Sequence, residues 1–187
     1  LHSFPTRRSS DLIKNTGAST LSTVDVSISD FTGSPGTIAN SNVTIFKEEY
    51  LNITNLSTTE GQAGEWPDAL LPKVDAYYHE TRSTFPFDVA AGRVQPIWFD
   101  VFVPANTTAG DYSATVTVTA NGETIFTGTV TLTVWNFTLP ATSSLPSFFS
   151  ASPDHFWKGF SGAEWIPTAD MVVYQRDFIK AGLRHRI

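Results

Sequence analysis

Hydrophobic and polar residues alternate along much of the chain from Ile13 onward. Apolar residues at positions 24, 26 and 28 are separated by polar ones, and the pattern returns at positions 112–118 and 130–134. Successive side chains of a strand point to opposite faces, so this period predicts strands with one buried face. No helical period occurs among them. We therefore expect a mainly β fold, an immunoglobulin-like antiparallel β-sandwich, over residues 13–139.

Turn residues separate the predicted strands. Residues 32–36 (TGSPG) should break the first strand, and Asn121-Gly122 is a hairpin signal between two alternating segments. Residues 43–53 predict one or two further strands, and the almost continuously apolar run 97–103 predicts a central strand. Gly110 and Tyr112 resemble the turn and the anchoring tyrosine of sandwich corners, where the hydroxyl bonds to backbone.

The segment from about residue 55 to 95 interrupts the alternation. It contains the sequence EWPD at 65–68, two further prolines and the pair Tyr77-Tyr78. We interpret it as a long ordered loop inserted into the sandwich.

The pattern changes again after residue 139. Residues 140–146 place small residues between two prolines, which is typical of a linker between domains. Residues 147–151 predict a short strand and 152–167 an aromatic-rich loop. A helix should begin near Thr168, with apolar residues at helical spacing and basic residues towards its end.

Residues 147–187 thus form one predicted strand-loop-helix unit. Such a unit alone cannot bury both faces of its strand and the apolar stripe of its helix. We expect it to be the first βα unit of a truncated (β/α)8 barrel, with Phe148, Tyr174 and Phe178 not fully enclosed by this chain. The sandwich should stay folded without residues 141–187.

Charge and composition exclude several classes of function. The net charge of −6 offers no basic stripe for nucleic acid, and no apolar run is long enough to span a membrane. The chain has no cysteine, and its four histidines lie far apart, so the sequence indicates neither a metal site nor a cofactor.

The first residues do not share the pattern of the rest. Residues 2–12 (HSFPTRRSSDL) resemble the translation of a DNA-sequencing adapter. We expect residues 1–12 to be an artefactual segment and the chain to be a metagenomic fragment whose signal peptide lay upstream.

Three stretches carry a resemblance to a known family: residues 65–70 (EWPDAL), motifs between 85 and 112 that include PIWFDVFVP, and 134–140 (VWNFTLP). With LRHRI at 183–187, they resemble the N-terminal sandwich and barrel entrance of bacterial proteins with domain of unknown function 4091. Those proteins are similar to glycoside hydrolase family 123, the β-N-acetylgalactosaminidases. The resemblance covers most of residues 13–187.

The resemblance implies a sandwich that precedes a (β/α)8 barrel cleaving N-acetylhexosaminides. In that family the substrate's acetamido oxygen is the nucleophile, and an adjacent Asp-Glu pair on a later barrel strand assists. No position here matches that pair, so no catalytic residue is assigned. We expect a non-catalytic accessory fragment of a secreted or cell-surface bacterial glycoside hydrolase, with the missing C-terminal barrel and a glycan as partners. The alternatives are a stand-alone carbohydrate-binding or adhesive module and a purely structural spacer.

Seven residues are candidates to contact a glycan. Trp66 and Asp68 combine an aromatic face that can stack on a pyranose with a carboxylate that can accept its hydroxyls, although Trp66 could instead pin the insertion in place. The loop 152–167 would leave the C-terminal end of the first barrel strand, on the catalytic face of such barrels. For its carboxylates the alternative is simple solvation. The candidates in this loop are Asp154, His155, Trp157, Glu164 and Trp165.

Overall fold

The computed structural model describes residues 12–56, 58–75, 83–140, 152, 158 and 168–184. Ten strands, one α-helix and a 3-10 turn at Asn40–Asn42 have their bounds within these residues, and Lys158 is also helical. The strands are β1 (Leu12–Lys14), β2 (Leu21–Ile28), β3 (Phe31–Gly33), β4 (Gly36–Ile38), β5 (Val43–Ile53), β6 (Gly64–Pro72), β7 (Phe87–Val89), β8 (Val94–Val101), β9 (Gly110–Ala120) and β10 (Glu123–Val134), and the helix is α1 (Thr168–Arg184).

The strands form two antiparallel sheets. The four-stranded sheet has the order β1-β8-β5-β6, and the other has the order β4-β3-β9-β2-β7, with β10 paired to β9. The prediction of a mainly β fold in antiparallel sheets is confirmed. β8 lies between β1 and β5, which confirms the central strand expected from its apolar sequence, although the strand ends at Val101 and Phe102 is 67% exposed.

Both sheets contribute to one hydrophobic core. The largest fully buried side chains are Phe31, Ile38 and Val24, and Ile97 of the four-stranded sheet belongs to the same core. β9 buries every second residue from Tyr112 to Ala120, as the sequence pattern predicts. This alternation fixes the pairing register, because a shift by one residue would turn the whole apolar set towards solvent.

Two predicted turns have different outcomes. Asn121 and Gly122 join β9 to β10 with φ values of 53° and 80°, the left-handed conformation that a tight hairpin turn requires, so that prediction is confirmed. Residues 32–36 do not simply break a strand. Phe31–Gly33 and Gly36–Ile38 pair with each other as a small hairpin around Ser34-Pro35.

The interpretation of residues 55–95 as a loop is wrong over much of its length. Gly64–Pro72 forms β6, which pairs with β5 from Phe46 to Ile53, and Phe87–Val89 forms β7. β6 lacks the alternating pattern because it is an edge strand interrupted by a bulge, and an edge strand tolerates its prolines. Residues 43–53 form the single long strand β5 rather than two.

Leu12, the last residue of the segment 1–12 that we expected to be artefactual, belongs to a strand. It is the first residue of β1 and lies opposite Pro96, whereas residues 1–11 are outside the described part of the chain. The origin of that segment stays a prediction.

The chain divides into two compact units, Leu1–Phe137 and Thr138–Ile187. In the second unit, α1 confirms the helix predicted to begin near Thr168. Phe178 is 43% exposed, while Phe148, the side chain of Tyr174 and the predicted strand 147–151 lie outside the described residues. In the part of the chain that the structure describes, no helix is both long and apolar enough to cross a membrane.

Candidate functional site: an edge of the four-stranded sheet

Two of the seven predicted site residues lie on β6, the edge strand. These are Trp66 and Asp68. The remaining five fall outside the described residues, so the structure does not test whether they meet. They are Asp154, His155, Trp157, Glu164 and Trp165.

Trp66 is held in one orientation while part of its ring stays accessible. Its Nε1 donates a hydrogen bond to the carbonyl oxygen of Gln62 at 3.1 Å, and the side chain is 45% exposed. On the neighbouring strand it lies opposite Leu51, which is 41% exposed. The hydrogen bond joins the indole to the segment just before β6, so the exposed ring surface is preorganised for a contact.

Asp68 occupies a bulge in β6. Glu49 lies opposite Ala69 and Tyr50 lies opposite Pro67, which leaves Asp68 as an extra residue without an opposite partner in β5. Its side chain is exposed. A bulge redirects the side chains that follow it, and such irregularities occur often beside binding sites.

A cleft that the sequence analysis missed lies at the Lys47–Leu71 end of the same two strands. Its volume is about 520 Å3, and it is lined by Lys47, Glu49, Leu71, Pro72, Asp75, Ser83 and Thr84. The sequence feature that could have indicated this cleft is Lys47. Positions 43 and 45 of the same strand are apolar and pack against the core, so the alternation would predict an apolar residue at position 47.

The Lys47 ammonium group is held between a charge and a ring. Nζ lies 2.8 Å from Oε2 of Glu49 and 5.7 Å from the centre of the Phe87 ring. The Lys47 side chain is 19% exposed and that of Glu49 is 42% exposed. The pair therefore presents two polar groups of opposite charge to the cleft, and Asp75 adds a second carboxylate to its lining.

A second ion pair supports the same two strands near their far end. Arg93 binds Glu65 on β6 and lies over the Tyr50 ring at 5.5 Å, and Tyr50 donates its hydroxyl to the Val94 carbonyl at 2.7 Å. The hydrogen bond and the charge of Glu65 raise the pKa of Arg93. These contacts connect β5 and β6 to β8, which steadies the strands that carry Trp66.

Within the described residues, no group of three or more His, Cys, Asp or Glu side chains could hold a metal ion. The expectation of no metal site stays a sequence-based prediction for the rest of the chain.

The fold and this edge site define a mainly β domain that carries a cleft and an exposed tryptophan on the same pair of strands. Residues 7–120 match the model of the glycoside hydrolase 123 N-terminal domain. Because the match covers more than half of the chain, the chain belongs to this family. The resemblance inferred from the sequence is confirmed at this level, while the assignment to domain of unknown function 4091 stays a prediction.

A solved structure shares the fold. It belongs to a family 123 glycoside hydrolase from Clostridium perfringens, studied for glycolipid glycan hydrolysis, with 20% sequence identity and a TM-score of 0.55. The alignment covers 69% of this chain but 21% of that one, so this chain spans about a fifth of the length of that relative. No curated protein sequence matches the chain.

Proposed function

We propose that this chain is the non-catalytic N-terminal accessory region of a glycoside hydrolase whose C-terminal barrel hydrolyses N-acetylhexosaminide glycans. The observation that carries the proposal is the match of residues 7–120 to an N-terminal domain of that family. The alignment to a fifth of a much longer family 123 enzyme supports it. In this role the chain positions the barrel and contributes a glycan-contacting surface without performing the chemistry.

The proposal includes a finer architecture. An immunoglobulin-like sandwich is supported by two antiparallel sheets that share one core and by the Tyr112 hydroxyl, which bonds to backbone as in sandwich corners. A first βα unit of a (β/α)8 barrel over residues 147–187 is supported by α1. We further propose a secreted or cell-surface parent of bacterial origin, for which the absence of cysteine is the supporting feature.

Trp66 and Asp68 are the proposed glycan contacts of the described region. The indole offers a fixed, partly exposed ring, and the carboxylate is exposed at the adjacent bulge. The five candidates of the 152–167 loop are proposed to face the sugar from the first barrel strand, where catalytic loops lie in this architecture.

The direct test is an activity assay on the 187-residue chain with a nitrophenyl β-N-acetylgalactosaminide. We expect no nitrophenol release above the buffer rate. A chain extended by its native downstream sequence should release nitrophenol under the same conditions. Hydrolysis by the 187-residue chain itself would refute the non-catalytic role, and an inactive extended chain would refute the proposed parent activity on this substrate.

A second candidate is a stand-alone carbohydrate-binding or adhesive module. The observation that favours it is the exposed Trp66 on the same strand pair as the Lys47–Glu49 cleft, since a glycan could bind there without any barrel. The downstream reading frame separates the two functions. About 300 further residues in βα repeats would favour the enzyme, because a complete barrel needs roughly 250, and an early native stop would favour the module.

A further inference from the structure

Three pairs of directly opposite residues on β5 and β6 lead from the cleft to Trp66. The register of β5 and β6 places Lys47 opposite Leu71, Glu49 opposite Ala69 and Leu51 opposite Trp66. Directly opposite residues of an antiparallel pair share a face, and so do alternate residues along one strand. The three pairs therefore lie on one face of the two strands, which we call the ribbon face and define by these six residues.

The ribbon face continues the cleft beyond its lining. Lys47, Glu49 and Leu71 line the cleft, whereas Leu51 and Trp66 form the next pair and are 41% and 45% exposed. Four residue steps separate Lys47 from Leu51, which corresponds to about 13 Å along a strand. That length exceeds a single sugar ring, so the cleft and the tryptophan can contact different rings of one chain.

The two ends of the ribbon face have complementary chemistry. At one end, the Lys47 ammonium is a donor and the Glu49 carboxylate an acceptor, fixed relative to each other by a 2.8 Å ion pair. At the other end, Trp66 and Leu51 offer apolar surface, with the indole oriented by its hydrogen bond to Gln62. A pyranose carries both kinds of surface, because its C–H groups are apolar and its hydroxyls both donate and accept.

The charge of the site disfavours an anionic sugar. Lys47 and Glu49 cancel each other, and Asp75 adds a further negative charge to the lining of the cleft. A purely apolar ligand would bury this ion pair without replacing its contacts with water, which is costly.

We propose that the ribbon face binds a neutral oligosaccharide of more than one ring, with one ring on Trp66 and Leu51 and hydroxyls of a neighbouring ring bonded to Glu49 and Lys47. The inference rests on the proposed function and names the surface where the accessory region holds its glycan. Sites that combine a few fixed polar groups with apolar surface bind small molecules in this way.

The test is calorimetric titration of the 187-residue chain with two probes. One is a neutral tetrasaccharide with a terminal β-linked N-acetylgalactosamine, and the other is free N-acetylgalactosamine. We expect the tetrasaccharide to bind at least about tenfold more tightly than the monosaccharide, because the second contact adds about 1.4 kcal/mol or more. Equal affinity for both probes, or no binding of the tetrasaccharide, would overturn the proposal.

Variants locate the site. Trp66→Ala should weaken tetrasaccharide binding about tenfold, which corresponds to about 1.4 kcal/mol. Glu49→Gln keeps the shape but removes the charge that orients Lys47, and it should also weaken binding. Trp135→Ala is the matched control, because Trp135 is 58% exposed but follows β10, which belongs to the other sheet. Unchanged thermal unfolding establishes that each variant is folded.

The outcomes separate this inference from the proposed function. The tetrasaccharide could bind the unsubstituted chain, Trp66→Ala and Glu49→Gln with the same affinity. In that case the ribbon face is not the site, although the accessory role stands. The ribbon face is likewise not the site if Trp135→Ala weakens binding as much as Trp66→Ala. Cleavage of the tetrasaccharide by this chain contradicts the non-catalytic role instead.

Discussion

The hydroxyl of Tyr112 donates a hydrogen bond to the carbonyl oxygen of Thr108 at 2.7 Å, four residues earlier in the chain. Tyr112 is 2% exposed and lies near the start of β9, a strand with partners on both sides in its sheet. The contact therefore fixes the backbone that leads into β9 to the core of the domain. It is also the bond from hydroxyl to backbone that the sequence predicts for this tyrosine.

Tyr112→Phe should lower the free energy of unfolding by about 1–2 kcal/mol, since it removes a hydrogen bond and leaves a part-buried carbonyl unsatisfied. Urea denaturation would measure the change. Tyr50→Phe is a suitable control, because its hydroxyl also bonds to a backbone carbonyl at 2.7 Å but the residue is less buried. An equal or larger loss at Tyr50 would contradict the anchoring role of Tyr112.

Gly110→Ala should destabilise the domain more than Gly36→Ala. The two glycines have nearly the same φ, 144° and 148°, so an alanine is strained at both. A Cβ at position 110 would lie 2.4 Å from Cγ of Pro35, whereas at position 36 it would have no neighbour within 4 Å. We expect about 1 kcal/mol for Gly36→Ala and about 2–4 kcal/mol for Gly110→Ala.

Thermal or chemical unfolding of both glycine variants gives the comparison directly. The difference between them reports the contact with Pro35, because an unfavourable positive φ is common to both. Equal losses would show that the hairpin carrying Pro35 moves aside easily.

Asn15→Asp should destabilise the domain in a pH-dependent way. The buried Asn15 amide donates to the carbonyls of Ser19 and Val89, both at 2.8 Å, and its oxygen accepts from the Gly17 amide. An aspartate at this position would place a carboxylate in a buried site, facing two carbonyl oxygens. Both features disfavour the charged form, so the pKa of the aspartate in the folded state is raised above the unfolded value of about 3.9.

The sign of the pH effect follows from that raised pKa. Below pH of about 3.9 the carboxyl is protonated in both states, and the charge penalty is absent. Stability relative to the parent chain then falls as pH rises to the folded-state pKa, with a loss of about 2–4 kcal/mol at neutral pH. Unfolding measured at several pH values would show this slope, and Asn42→Asp, at an exposed amide, should show little of it.

Removing residues 141–187 should leave the β domain folded. Among the residues that the structure describes, the hydrophobic core and the apolar side chains packed against it lie between Ile13 and Val134. We expect the shortened chain to unfold cooperatively, with a midpoint within about 4 °C of the parent β domain, the shift that about 1 kcal/mol produces. Loss of the cooperative transition in calorimetry would show that residues 141–187 are integral to this domain.

Several elements could be predicted because their evidence is local. The alternation in β2 and β9 marks a buried face, Asn121-Gly122 marks a hairpin, and the helical spacing after Thr168 marks α1. Each signal reflects how one segment divides its side chains between core and solvent. The sequence pattern was sufficient wherever that division is regular.

β6 could not be predicted in the same way. Its bulge at Asp68 shifts the register, and its exposed position allows apolar side chains such as Trp66 and Leu70 to face water. An edge strand is defined by its partner rather than by its own pattern, and the partner, β5, is separated from it by the segment 54–63.

The sequence by itself determined a mainly β fold, its principal buried faces, its hairpin turn and its helix. It also identified Trp66 and Asp68 as candidates and, through resemblance, the family. Only the tertiary structure decided that Trp66 faces Leu51, that Lys47 and Glu49 share a cleft, and that Pro35 leaves no room for a side chain at Gly110. Local periodicity records exposure within one segment, whereas these contacts depend on pairing and close approach between segments distant in the chain.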